Sequence, residues 1–324
     1  MRKVGLISLA IFLIIGMCFL TGCSRKQDGQ PVERVRMATG GTAGTYYPFG
    51  TAVGQVITEK TGIPVTIQST GASKANLQLI AAGEVEMALV QNDVMDYAYR
   101  GVDLFQGEQI QAFSTMAGIY PEVIQVVAVS SIRSVADLRG RSVSVGDAGS
   151  GTEFNSRQIL EAYGLTFNDI NKQNLGFAAS ADALKDGRID AFFCVAGPPT
   201  PAIIDLALTR EVVILNIADD NINRLVQQYP FYTRLSIPAN SYNRQTTPVQ
   251  TVAVKATFVV ANALREDTVY NMTKTLFEEK AAIAQGHARG NNIDLQFASS
   301  DMSVPFHPGA ARYYREKGIN VQSR

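Results

Sequence analysis

The stretch "VGDAGSGTEFNSRQILEAYG", Val145 to Gly164, decides how this chain is read. It leaves an apolar strand, "SVSVG" (142–146), crosses a glycine loop and enters a helix over 152–164. Gly146 and Gly151 have the spacing of a phosphate-cradling loop, G-x-x-x-x-G-K-[ST], but Thr152 stands where the lysine must be. A glycine loop at a strand's carboxyl end presents unpaired backbone N–H groups and the positive end of a helix dipole. Without the lysine it can hold a carboxylate-sized charge and lacks what a triphosphate needs.

The same grammar extends to both sides. Upstream, "RVRMATG" (34–40), "PVTIQ" (64–68) and "VEMALVQ" (85–91) are strands. Between them lie a helix with Phe49, Ala52, Val53, Val56 and Ile57 on one stripe, and a helix over 73–83 ending in glycine. Downstream, "SADALKDG" (180–187) is a helix with a glycine stop, and "IDAFFCV" (189–195) is a buried strand. Alternating strands and helices argue for parallel sheets with helices on their faces. Gly83 and Gly187 precede similar acidic, apolar strands 104 residues apart, and Gly44-Thr45 and Gly151-Thr152 keep nearly the same offset. The chain therefore reads as two lobes of like topology. Two long β-branched runs, "IYPEVIQVVAV" (119–129) and "TVAVKATFVV" (251–260), connect them as a double hinge, and a long helix follows at 265–285. The expected first lobe is 34–121 with 250–324, and the second is 122–249.

With 324 residues and a formal net charge of zero, the chain suits two cores and carries no basic run for nucleic acid. Arg2 and Lys3, an apolar stretch and "LTGC" (20–23) have the layout of a secretory signal over 1–22, with a retained transmembrane anchor as the alternative. Residues 23–33 read as a flexible tether. Cys194 is then the one cysteine left in the body, in an apolar strand, with no disulfide partner. His287 and His307 lie far along the chain from every glycine loop and offer neither a base nor a metal-ligand pair. The expectation is no metal, no cofactor and no catalytic residue.

Open parallel sheets bind ligands beyond the carboxyl ends of their strands. Five stretches stand there. The first, "GSGT", supplies Ser150, Gly151 and Thr152; either hydroxyl alone would serve as a helix cap, but two flanking glycines add entropic cost and favour an anion site. "TGGTAGTYYPFG" (39–50) supplies Thr42, Gly44, Thr45, Tyr46 and Tyr47, one tyrosine being a core candidate. "STGASKAN" (69–76) supplies Thr70, Ser73 and Asn76. "VQNDV" (90–94) supplies Gln91 and Asp93, the latter also suited to an N-cap. "VAGPPTPA" (195–202) supplies Ala196 and Gly197. Hydroxyls, amides, rings and backbone N–H groups form an inventory that binds and does not react.

Taken together, "GTAGTYYPFG", "STGASKANLQLIAAGEVEMALVQNDV", "DLRGRSVSVGDAGSGTEFNSRQIL" and "ALKDGRIDAFFCVAGPPTPAI" resemble the TAXI-type solute receptors of TRAP transporters. The resemblance covers nearly the whole mature chain. It implies the type II periplasmic-binding-protein fold: α/β, two lobes, two parallel-type sheets with flanking helices, joined by two hinge strands. It implies a receptor that captures a small carboxylate, a glutamate-like amino acid or a dicarboxylate, and delivers it to TRAP-type membrane permease subunits. "LTGC" resembles a bacterial lipoprotein signal, with Cys23 lipidated and the protein held outside the cytoplasm on a membrane. Two departures bear on ligand choice: Gly71-Ala72 where the family often has Gly-Gly, and Lys74 where an uncharged residue is common. A ligand-sensing ectodomain and a secreted anion-binding enzyme, such as a nucleotide hydrolase, are the competing readings.

Overall fold

Residues 33–324 are described in the structure, a computed structural model. The signal, the lipidation of Cys23 and the tether up to residue 32 lie outside the described residues. The chain starts with β1 (Val35–Ala38), α1 (Tyr46–Thr61), β2 (Val65–Gln68), α2 (Ser73–Ala81), β3 (Met87–Gln91) and α3 (Asn92–Arg100). β1 lies between β2 and β3 and is parallel to both, as helical crossovers require. The stripe Phe49, Ala52, Val53, Val56 and Ile57 is buried on α1, and each large side chain fully buried contributes about 1.5–3 kcal/mol.

After β4 (Phe113–Val129) the pattern repeats with β5 (Ser142–Ser144), α4 (Gly151–Ala162), β6 (Asn171–Gln173), α5 (Phe177–Lys185) and β7 (Ala191–Ala196). β5 lies between β6 and β7, again parallel to both. The two lobes thus share one strand order. The glycine stops are equivalent too: Gly83 (φ 71°) and Gly187 (φ 74°) are left-handed, and each amide donates into the end of its helix, to Ile80 and Leu184. The second lobe continues with α6 (Pro201–Thr209), β8 (Val212–Ile214), α7 (Asp219–Gln228) and β9 (Thr233–Ile237) before β10 (Val249–Ala261) returns.

The hinge runs differ from expectation in extent. β4 has 17 residues and β10 has 13, roughly 55 and 40 Å of extended chain. They pair antiparallel, β10 also meeting β3 at one end and β9 at the other, while β4 meets β7 and β8. Strands this long belong to both lobes, so the expected two sheets are joined into one curled, mixed, ten-stranded sheet.

The expected long helix at 265–285 is two, α8 (Glu266–Glu278) and α9 (Lys280–Gly286), followed by α10 (Leu295–Ser299) and α11 (Pro308–Glu316). Glu279 leaves helical geometry (φ −105°, ψ 21°) and its carboxylate meets Lys60 of α1 at 3.0 Å. A tertiary contact marks the break, which no proline or glycine announces. Cys194 is buried, and burial pushes its thiol up, away from reactivity. The rings of His287 and His307 accept from the amides of Arg289 and Gly309 at helix starts. Among the described residues, no helix is long and apolar enough to cross a membrane.

Candidate ligand-binding cleft

A cavity of about 520 Å³, including its opening, lies between the lobes. Of the residues expected to bind, Gly44, Thr45, Tyr46, Ser73, Gln91, Ser150, Gly151, Thr152 and Ala196 line it. They come from the ends of β3 and β7 and the starts of α1, α2 and α4, which the sheet order brings to one side.

At the α4 end the glycines and the Ser150 cap form the helix start, and Glu153 adds to it. Gly146 (φ 95°) and Gly149 (φ 76°) need the left-handed region. Ser150 is the cap: its Oγ accepts from Glu153 N at 3.1 Å, leaving its hydroxyl hydrogen free to donate. The N–H groups of Gly151 and Thr152 are in the first turn and have no intrahelical acceptor. Glu153 folds back so that its Oε2 accepts from Gly149 N at 2.6 Å, and Lys172 and Asn174 hold its other oxygen. These partners keep its carboxyl below the usual range despite burial. The loop thus already holds one internal carboxylate where a nucleotide loop would hold a phosphate.

Six expected residues lie elsewhere. Thr42 is exposed, in a groove outside the cavity that also takes in Thr70. Thr70 donates to Thr39 O and Asn76 Oδ1, at 3.0 and 2.6 Å. Asn76 is fully buried and donates to Thr39 O and Leu89 O, tying β1 to β3. Tyr47 is half-buried on α1, one helical step from the cavity-facing Tyr46. Asp93 is buried behind Gln91, accepting from Val94 N and from Asn155 Nδ2 at 2.8 Å each. Gly197 is a wall residue: a Cβ there would stand 2.8 Å from Arg289 Nε, and its carbonyl accepts from Thr45 Oγ1 at 3.0 Å. Hydroxyls and amides near helix starts serve packing as readily as ligands, and the sequence pattern is the same for both. Lys74 is also turned away. Its Nζ donates to Leu104 O at 2.8 Å.

The cavity also includes residues that were not expected to bind: Gly40, Gly41, Ala72, Asp147 and Val195 within the glycine-loop stretches, and Glu122 and Phe177 outside them. Phe177, at the start of α5, brings its ring against Gly44 and supplies an apolar cover. Ala72, in the departure from Gly-Gly, has φ 66° and ψ −146°, a region almost reserved for glycine. Glu122 is 2% exposed, and Tyr46 Oη donates to its Oε2 at 2.6 Å. Burial pushes its carboxyl up to about 8, against the Tyr46 hydrogen bond and with help from the charge of Asp93. Burial also raises Asp147, and it pushes Asp93 up to about 6 against its hydrogen bonds. A single glutamate inside the β-branched run 119–129 was the available signal for Glu122. Among the described residues the cleft holds donors, two acids and apolar cover, and no paired nucleophile and base.

The family model described as the NMT1-like family matches residues 37–318. Among solved structures, a protein of Bordetella bronchiseptica RB50 is similar with a TM-score of 0.54 and 16% identity over 87% of this chain and 88% of that one. A structure described as a periplasmic transporter gives 0.53 and 14% over 79% and 84%. The zinc-bound ligand-binding component of an ABC-type import system from Staphylococcus aureus gives 0.50 and 7% over 90% and 94%. At these identities the likeness is one of fold: the two-lobed periplasmic-binding-protein architecture.

Proposed function

Since the chain belongs to the NMT1-like family, and its lobes enclose a polar cleft at strand ends, we propose that it is an extracytoplasmic solute receptor and not an enzyme. The observation that carries this reading is the cavity closed over by both lobes, with the first turn of α4 facing in. The lobes we assign are 34–121 with 250–324, and 122–249, moving about β4 and β10. The ligand is a small carboxylate. Its charge sits on the N–H groups of Gly151 and Thr152 and the hydroxyl of Ser150, where the helix end adds roughly 0.3–2 kcal/mol. Thr45, Ser73 and Gln91 face it from the other lobe, and Tyr46 and Phe177 cover its apolar part. Calorimetry on protein unfolded and refolded free of ligand, against amino acids, diacids, sugars and nucleosides, tests this. A sugar or nucleoside bound tightly while every carboxylate stays silent overturns the ligand class.

The partner we propose is a TRAP-type permease, supported by the resemblance of the four motif stretches. The second reading is an ABC-type permease, which the description of the Staphylococcus aureus neighbour favours. Pull-down with each permease expressed from the neighbouring genes separates the two; a sensor kinase captured instead replaces both. We place the receptor on a membrane through lipidated Cys23. Unchanged mass and unchanged membrane fractionation of Cys23→Ala would remove that anchor.

A further inference from the structure

Glu122 projects from β4 into the cavity wall, yet it lies outside the glycine loops. Its Oε2 accepts from Tyr46 Oη, and the residue is 2% exposed. The groups that bear on it are Tyr46 from α1, Asp93 from α3, Tyr120 from its own strand and Cys194 from β7. Asp147 is the other acid in the lining, and among the described residues no lysine, arginine or histidine lines the cavity. A buried carboxylate without a cation is neutralised either by a proton or by a charge that arrives. A glutamine would accept the tyrosine hydrogen bond without this burden.

We propose that Glu122 is the specificity-determining residue of the cleft: it selects ligands that carry a compact ammonium group over analogues of the same length that lack one. This rests on reading the cleft as a solute site. In the empty cleft near neutral pH the Glu122 carboxyl, pushed up to about 8, keeps its proton. An entering ammonium donates to the carboxylate, and the carboxyl proton leaves to solvent, so one proton is released for each ligand bound. A ligand without the ammonium leaves that proton in place.

The test is calorimetry of the refolded, ligand-free protein at pH 7 with L-glutamate, glutarate and putrescine, in two buffers of different ionisation enthalpy. The expected result is L-glutamate bound roughly ten- to a hundredfold more tightly than glutarate, with close to one proton released, and loss of that preference in Glu122→Gln. The proton count is made on the unaltered chain and stands even where the variant fails to fold. Equal affinity for glutamate and glutarate, or glutamate bound without proton release, overturns the proposal. Putrescine bound with proton release while both carboxylates stay silent upholds the role of Glu122 and removes the carboxylate reading instead. Glutarate bound tightly, with glutamate weaker and no proton released, does the reverse.

Discussion

Gln91, at the end of β3, donates its side-chain amide to Oδ1 of Asn155 on α4 at 2.6 Å, and so joins the two lobes across the cleft. Asn155 in turn donates to Asp93 Oδ2 and to Tyr232 Oη, each at 2.8 Å. Beside this network the rings of Tyr97 and Phe154 meet with centroids 4.8 Å apart. Phe231 also meets Tyr97, with centroids 5.9 Å apart, and Arg157 pairs with Asp103 at 2.8 Å, so a buried polar latch with aromatic and ionic contacts beside it joins the two lobes. Asn155→Ala leaves buried groups of Gln91 and Asp93 unpaired, at a cost of about 1–3 kcal/mol. We expect this cost to fall on closure. Small-angle scattering should show ligand compacting the unaltered protein, with the variant remaining larger at the same ligand concentration. Equal compaction of both would remove the latch.

At Gly151 the side chain of Gln91 from the other lobe comes close to the backbone. A Cβ there would lie 1.4 Å from Gln91 Oε1 and 3.2 Å from Val94 Cγ2. The position is the first of α4 and its φ is not positive, so alanine suits the backbone. Gly151→Ala should thus leave the melting temperature of the ligand-free protein unchanged or higher, while affinity falls at least about tenfold as Gln91 is displaced from Asn155. Calorimetry and thermal melts on the same sample separate these effects.

Ala72 caps α2 with φ 66° and ψ −146° and lines the cavity. A non-glycine residue in this region stores about 1–3 kcal/mol, while glycine adds back about 0.4–1 kcal/mol of unfolded-chain entropy. Ala72→Gly should stabilise the protein by about 1 kcal/mol and admit a ligand larger by about one methyl group. Denaturant unfolding reads the first, and a series of ligands branched by one carbon reads the second.

The pH dependence of ligand-free stability follows from Glu122 and Asp93. Their carboxyls are raised from ordinary values of 4.5 and 3.8 to about 8 and about 6. For an acid raised on folding, the stabilising difference is complete below the ordinary value and is lost as pH rises through the raised one. Unfolding free energy should therefore fall between about pH 4 and pH 8, by up to about 1.4 kcal/mol per pH unit for each proton involved. Glu122→Gln should flatten this slope, most clearly between about pH 6 and 8. Denaturant titrations across that range check it, and a slope unchanged in the variant would show that Glu122 is not the titrating group.

The repeated order of strands and helices was legible because its signals are local. The α1 stripe, the glycine stops at Gly83 and Gly187, and the β-branched hinge runs each depend on neighbours within one element. The same is true of the α4 loop, where Gly146 and Gly149 meet a backbone demand that any fold would impose. The split between α8 and α9 was not legible, since the contact of Glu279 is with Lys60, far away in the chain. Nor was the division of labour among hydroxyls and amides: Asn76 and Thr70 hold β1 to β3 while Ser73 and Thr45 face the cavity, with the same residue types in the same kind of turn. Glu122 shows the limit most plainly. In sequence it is one acid in a buried strand, and only folding sets Tyr46 beside it and an open space before it. Local periodicity and turn chemistry determined the two like halves and most of the loops that line the cavity. Tertiary structure alone decided which side chains meet there and what charge they carry, because burial and partner distance depend on residues that the chain brings together from afar.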